Sequence, residues 1–332
     1  MRAGPLLATY GLDASERTAA VDALGGIAEL VCLTDLPGTE RADALRRAGA
    51  LLSRNIGQEL TPDELSLIRH ARLIQFVTAG VDHIPVHLLP PGLPAAANRG
   101  AYAEPMAEHA VAMALAAAKR LFVEHAALAR GAFNQFTPNR MLSGGVCGIL
   151  GFGGIGRATA RLMRGLGMRI HAINRRGADD ERPGEPIDWI GRPAQLATLL
   201  AAADLLVICT PLTRATAGLI DARALECMKQ DAILINLARG EIIDEAALYA
   251  HLKAHPSFTA CLDAWWVEPI RHGAFRMDQP FLDLPNVIGS PHNSASVGGW
   301  RAVALRRAAE NCRRALAGEP PQHLITAEDQ MT

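Results

Sequence analysis

Lysine is scarce in this sequence. Only Lys119, Lys229 and Lys253 occur, and arginine carries nearly all the positive charge. The imbalance reads as a compositional bias and not as a function. Net charge is also missing: the formal value is -1 at pH 7. That leaves no basic field to collect nucleic acid and no acidic tail. The cysteines lack the spacing of a metal site. Cys32, Cys147, Cys209, Cys227, Cys261 and Cys312 are scattered, with no C-x-x-C pair. A zinc site and a disulfide framework are therefore not expected, and a reducing compartment fits. Long apolar runs are absent too. The most apolar helical stretch, residues 110–118, is too short to span a bilayer. The N-terminus shows no charged-then-apolar signal pattern. The expectation is a soluble, cytoplasmic protein with no membrane partner, no nucleic-acid partner and no metal.

What is present points to two domains. A chain of 332 residues exceeds one ordinary domain, and 49% hydrophobic residues can fill a sizeable core. Short apolar runs alternate with helical patterns. Strands are expected at 6–10, 29–33, 50–53 and 73–77, with a helix after the Thr61-Pro62-Asp63-Glu64 cap signal. An alanine-rich helix is expected from 102 to about 121, then an irregular arm over 121–143. A second alternation places strands at 146–150, 169–173, 205–209, 233–236, 259–263 and 287–288. A last helix follows Gly298 through Ala315. Strands alternating with helices imply α/β architecture with parallel sheets covered on both faces. The Pro/Gly-rich stretch 90–94 is the expected boundary region.

The sharpest local signal is Gly151-Phe152-Gly153-Gly154-Ile155-Gly156. It lies between an apolar run of strand length and a helical run, the context a dinucleotide-binding loop requires. Gly151 permits the tight turn. Gly153 lets a pyrophosphate approach the backbone. Gly156 lets helix and strand pack closely. The helix N-terminus then offers N–H groups to phosphate. After the next strand comes Asn174-Arg175-Arg176, where an acidic residue would bind the NAD ribose. A carboxylate there would repel a 2′-phosphate, whereas Arg175 and Arg176 can pair with one. The segment favours NADP(H) and leaves NAD(H) open; the plainer alternative is a solvated loop.

Three later segments set polar residues just after apolar strands. They are Asn236-Leu237-Ala238-Arg239-Gly240, Asp263-Ala264-Trp265-Trp266-Val267-Glu268-Pro269 and Ser290-Pro291-His292. At the carboxyl ends of parallel strands such residues face the ligand crevice. Together with Thr78-Ala79-Gly80-Val81-Asp82, Asn98-Arg99-Gly100, Ala107-Glu108-His109, the glycine loop and Thr210-Pro211-Leu212-Thr213, they resemble the D-isomer-specific 2-hydroxyacid dehydrogenase family. The resemblance covers nearly the whole chain. It implies two Rossmann-like doubly wound domains, the catalytic one discontinuous (1–99 and 295–332) and the dinucleotide-binding one inserted (100–294, including the arm). It also implies a homodimer joined largely through the cofactor domains.

The family's catalytic trio maps onto Arg239, Glu268 and His292. Reducing a 2-oxo acid builds negative charge on the carbonyl oxygen, and an imidazolium at His292 can donate a proton to it. Glu268 would stabilise that imidazolium. Arg239 can bind the substrate carboxylate and polarise the carbonyl. By resemblance, the Ala79-Gly80-Val81 turn adds backbone N–H groups for the carboxylate. Asp263 holds the nicotinamide carboxamide, and Thr210, Pro211 and Thr216 line the cofactor. Arg54 is a second candidate ligand for a carboxylate or phosphate. Each residue has a plainer reading: Arg239 pairing with Asp244 or Glu245, Glu268 as a loop charge, His292 as a turn histidine. His251 and His255, four apart, have metal-compatible spacing but read as solvent-facing. His109 reads as structural. Trp265 and Trp266 read as core anchors or as pocket walls beside Glu268, and Trp300 as a cover for the crevice. Phe136 in the arm is a candidate substrate contact. Glyoxylate and hydroxypyruvate are the first substrate candidates. The alternatives are a dehydrogenase of another small anion, against which Glu268 stands, and a cofactor-sensing binding protein of the corepressor type.

Overall fold

Short aliphatic runs flanked by glycine, proline or polar residues form the strands, because they can be buried on both faces of a parallel sheet. In a computed structural model that describes residues 4–180 and 183–329, these runs sort into two sheets. The chain divides into two compact units, Met1–Tyr102 with Val297–Thr332, and Ala103–Ser296.

In the first unit the strands are β1 (Leu6–Ala8), β2 (Leu30–Cys32), β3 (Ala50–Ser53), β4 (Ile74–Phe76) and β5 (Ala95–Ala96). All pair in parallel, in the order β2-β1-β3-β4-β5. The order reverses between β1 and β3, and ligands bind at such switch points in open α/β sheets. Helices α1 (Ala14–Leu24), α2 (Gly38–Arg47), α3 (Ile56–Glu59) and α4 (Pro62–Leu67) connect the strands. The Thr61 signal is realised: Thr61 and Glu64 form a reciprocal capping box with Pro62 at the helix start. A buried polar chain ties the C-terminal helix to this sheet. Asn311 Nδ2 donates to Gln75 Oε1 at 2.6 Å, and Gln75 Nε2 donates to the carbonyls of Phe76 and Ala96. These side chains are satisfied inside the core, so they cost little and fix the helix register.

In the second unit the helices are α5 (Ala103–Ala118), α6 (Leu121–Ala129), α7 (Gly154–Gly165), α8 (Leu196–Ala202), α9 (Ala222–Glu226), α10 (Glu245–Ala254) and α11 (Pro269–His272); α12 (Trp300–Leu316) belongs to the first unit. Seven parallel strands are β6 (Val146–Leu150), β7 (Arg169–Ile173), β8 (Trp189–Gly191), β9 (Leu205–Ile208), β10 (Ile233–Asn236), β11 (Thr259–Leu262) and β12 (Val287–Gly289). Their order is β12-β11-β10-β9-β6-β7-β8. This is the doubly wound order whose switch point falls between β6 and β9. Asp204 pins the amino end of β6: its carboxylate accepts from Val146 N–H at 2.7 Å, Lys229 Nζ at 2.7 Å and Arg140 at 3.1 Å.

Several details depart from the sequence reading. β5 and β8 were not expected, because two alanines and a Trp-Ile-Gly triplet carry no strand pattern of readable length. The long helix ends at Ala118, and Arg120 takes a left-handed φ of 52°. The arm then opens with α6, so its first nine residues are helical. They contain no glycine or proline to prevent it, and Arg120 Nε bonds Glu124 at 3.1 Å across the first turn. The stretch 90–94 is not a boundary. Ile74 N–H donates to the Pro94 carbonyl at 2.9 Å, which leads that segment into β5.

Candidate active site

The glycine loop leaves β6 and enters α7, and its three glycines do not share one environment. Gly151 has φ of 100°, and a Cβ there would lie 2.6 Å from the backbone nitrogen of Thr210. A Cβ on Gly156 would drive into the Gly151 carbonyl oxygen and the Ile149 side chain. A Cβ on Gly153 would meet nothing within 4 Å. Gly151 and Gly156 are thus demanded by packing, whereas Gly153 faces open space at the N-cap of α7. No side chain caps that helix end, so Gly154, Ile155 and Gly156 present the first-turn amides there. An open cradle of this kind fits a dinucleotide pyrophosphate.

The neighbouring strand ends carry the other cofactor candidates. Asn174 follows β7, and its Oδ1 accepts from the N–H of Arg176 at 3.0 Å and of Gly177 at 2.6 Å. The Asn174 side chain therefore shapes the turn, while Arg175 and Arg176 stand exposed on it. Arg192, just past β8, was missed by the sequence reading. A Cβ on Gly177 would lie 2.9 Å from Arg192 Cγ, and the guanidinium pairs with Asp179 at 2.8 Å. Only recognition of β8 could have pointed to it. Thr210 and Pro211 follow β9. The Thr216 hydroxyl donates to the Pro211 carbonyl at 2.7 Å and accepts from Thr213 N–H at 2.8 Å, closing that turn.

Arg239, Glu268 and His292 follow β10, β11 and β12, which are adjacent in the sheet. Asn236 at the end of β10 forms the first turn: its Oδ1 accepts from Ala238 N–H at 3.0 Å and its Nδ2 donates to the Arg239 carbonyl at 2.8 Å. Glu268 is buried. Its Oε1 accepts from Trp265 N–H at 2.7 Å, and its Oε2 lies 2.7 Å from His292 Nδ1. Burial alone would push the Glu268 carboxyl up. The hydrogen bond and charge of His292, the Trp265 N–H and the charge of Arg239 outweigh it and hold the group below the usual carboxylate range. A carboxylate bonded to Nδ1 orients the ring and stabilises an imidazolium, which leaves Nε2 to exchange a proton.

His292 sits in the left-handed region at φ 50°, a conformation that is uncommon outside glycine although histidine tolerates it better than most residues. The loop around it is held by Asp263, which is 0% exposed. Asp263 accepts from the Ser290 hydroxyl at 2.5 Å and from the N–H groups of Asn293 at 3.0 Å and Ser294 at 3.2 Å. Ser290, which the sequence did not single out, also contacts His109 Nε2 at 3.1 Å. His251 and His255 are corrected: they are half-buried and stack at 4.2 Å, with His251 edge-on to Phe258. Among the described residues no group of three or more His, Cys, Asp or Glu side chains could hold a metal ion.

The remaining candidates lie in the first unit. Ala79, Gly80 and Val81 form the bend after β4. Arg54 follows β3 beside the switch point; its guanidinium stacks over Tyr10 at 4.0 Å and lies 3.7 Å from Glu16. The Trp300 indole donates to the Ala101 carbonyl at 2.8 Å, anchoring the start of α12.

Comparison with known proteins agrees with this geometry. Residues 111–294 match the family described as D-isomer specific 2-hydroxyacid dehydrogenase, NAD binding domain. The D-3-phosphoglycerate dehydrogenase of Methanocaldococcus jannaschii is 30% identical over 92% of this chain, which spans only 57% of that relative's length. The glyoxylate reductase of Korarchaeum cryptofilum is 31% identical over 77% of this chain and 76% of its own. The solved D-isomer specific 2-hydroxyacid dehydrogenase of Xanthobacter autotrophicus Py2 shares the fold, with a TM-score of 0.78 at 24% identity over 98% of each chain. An open glycine cradle at one switch point, and a carboxylate-bonded histidine beside an arginine on the neighbouring strand ends, thus come together in a chain that belongs to the D-isomer specific 2-hydroxyacid dehydrogenase family.

Proposed function

We propose that this protein reduces a small 2-oxo acid to a D-2-hydroxy acid, with NADPH favoured over NADH. The observation that carries the reading is the 2.7 Å contact between Glu268 and His292 Nδ1 with Arg239 near enough for its charge to act on Glu268. Gly151–Gly156, with Thr210, Pro211, Thr216 and Asp263, would hold a nicotinamide cofactor, which would supply the hydride. Arg239 neutralises the substrate carboxylate and polarises the carbonyl. His292, its Nδ1 bonded to Glu268, gives its Nε2 proton to the carbonyl oxygen as negative charge builds there. In the oxidative direction neutral His292 takes the proton from the hydroxyl. The first unit serves as the substrate domain, its Ala79-Gly80-Val81 bend supplying N–H groups and Arg54 a second anion contact. Glyoxylate, named in the Korarchaeum cryptofilum relative among others, and hydroxypyruvate are the first substrates to try.

The NADPH preference is supported by Arg175 and Arg176 exposed on a turn with no carboxylate at position 174. A homodimer is supported by the apolar side chains left exposed along α6 and the arm: Leu121, Phe122, Leu128, Phe133, Met141 and Phe136, the last 89% exposed. Six free cysteines suit a cytoplasmic location. Among the described residues no helix is long and apolar enough to cross a membrane. Loss of NADPH absorbance against a panel of 2-oxo acids tests the activity. His292→Ala should lower turnover by about 100-fold or more while leaving cofactor binding intact. Cofactor binding without turnover of any 2-oxo acid would turn the reading to a binding protein.

A further inference from the structure

Trp265 touches every segment that carries the Arg239, Glu268 and His292 trio. It is 4% exposed. Its backbone N–H donates to Glu268 Oε1 at 2.7 Å. Its indole N–H donates to the carbonyl of Ser290 at 2.8 Å, two residues before His292. Its ring edge lies where a Cβ on Gly289 would come within 2.9 Å of Cζ2, so the end of β12 is shaped around the indole. Its backbone carbonyl packs so closely on Gly240, the residue after Arg239, that a Cβ there could not be accommodated. Phe275 closes the outer side edge-on at 5.6 Å. The adjacent Trp266 shares only the Gly240 packing, through its backbone nitrogen; its side chain points to other partners, the indole donating to the Ile243 carbonyl at 2.7 Å and the ring stacking on Phe281 at 5.2 Å.

Bulk alone does not explain these contacts. A left-handed His292 persists only if its surroundings over-determine it. Asp263 holds the loop through the Ser290 hydroxyl and the amides of Asn293 and Ser294. On the other side of Ser290, only the indole N–H fixes the direction of the peptide that leads to His292 among the contacts described for that carbonyl. We propose that Trp265 is a positioning residue for the proton-donating pair: one side chain and its own amide set the carboxylate of Glu268 and the backbone of His292 in a single frame.

This inference rests on the proposed reductase chemistry, and its test separates the two. Trp265→Phe keeps an aromatic ring and removes the indole N–H; a benzothienylalanine at 265 keeps the full ring shape and removes the same donor. Either should lower reductive kcat by about 10- to 100-fold, the scale for a misplaced catalytic group, with KM for the cofactor held within about twofold. The loss should change with pH, because the groups displaced are the proton-donating pair. Trp266→Phe should stay within about twofold of the parent. Unchanged turnover in both Trp265 variants, or a loss equal at every pH and matched by Trp266→Phe, overturns the positioning role. His292→Gln, measured alongside, reports on the reading beneath: if it keeps full turnover, the trio itself is wrong and the inference falls with it.

Discussion

Glu268 illustrates how two opposed effects decide one residue's charge. Burial disfavours its carboxylate, yet the partners at His292, Trp265 and Arg239 prevail and keep it ionised below the usual carboxylate range. Glu268→Gln keeps the shape and removes the carboxylate that meets His292 Nδ1. Reductive kcat is expected to fall by about 10- to 100-fold at neutral pH, a typical cost for impairing one acid–base partner. The variant's pH profile should also differ from the parent's, because the ionised Glu268 carboxylate is gone. A pH series of kcat in the reductive direction checks this, and parallel profiles would argue against the pairing. The polar segments that carry the trio were legible in the sequence because polar side chains after apolar strands mark a ligand crevice, and the family resemblance picked the three residues within them. The Glu268–His292 bond was not, since 24 residues separate the two and only the parallel pairing of β11 and β12 brings them together.

At the scale of elements, the glycine loop separates packing from ligand binding. Gly156→Ala forces a Cβ into the Gly151 carbonyl and should cost stability by roughly 1–3 kcal/mol, as overpacking does. Gly153→Ala meets nothing in the protein. Its melting temperature should match the parent, while its dissociation constant for NADPH rises several-fold. Differential scanning fluorimetry with and without cofactor distinguishes the two; equal loss of stability in both variants would show that Gly153 too is a packing glycine. Turn-forming side chains work at the same scale. Asn174 bends its loop through two backbone amides, so Asn174→Asp would keep the turn and add a charge beside Arg175 and Arg176. NADPH affinity should then drop relative to NADH, measured as a ratio of KM values for the two cofactors. The short strands β5 and β8 and the helix α6 escaped the sequence because two or three residues show no period and because a left-handed Arg120 leaves no mark in the pattern.

For the whole molecule, acid stability follows from the sign of several shifts. Burial would raise Asp188, Asp204 and Asp329, but amide hydrogen bonds and arginine or lysine partners outweigh it and hold all three low. Unfolded aspartates titrate near ~4. The stability these groups contribute is therefore complete above about pH 4 and is lost as pH falls through their lower folded values. His171, His251 and His323 are pushed down chiefly by burial. Unfolded histidine takes up its proton near ~6.5, before the folded chain does, so stability should begin to decline below that pH. Thermal melts from pH 8 to 3 should show a shallow fall beginning near about pH 6.5 and a steep one below about 4. A flat profile between pH 7 and 5 would count against the histidine component.

By itself the sequence determined the alternation of strands and helices and the glycine loop. It could do so because these are set by periodicity and by backbone freedom within a few neighbouring residues. The tertiary structure decided what depends on pairing between distant strands. It placed Glu268 against His292, engaged Asp263 and Trp265 with the loop that carries His292, and showed which glycine faces open space. It also set the sheet orders, whose reversals locate both crevices. Composition and spacing record the first kind of information, but only the folded register of β10, β11 and β12 contains the second.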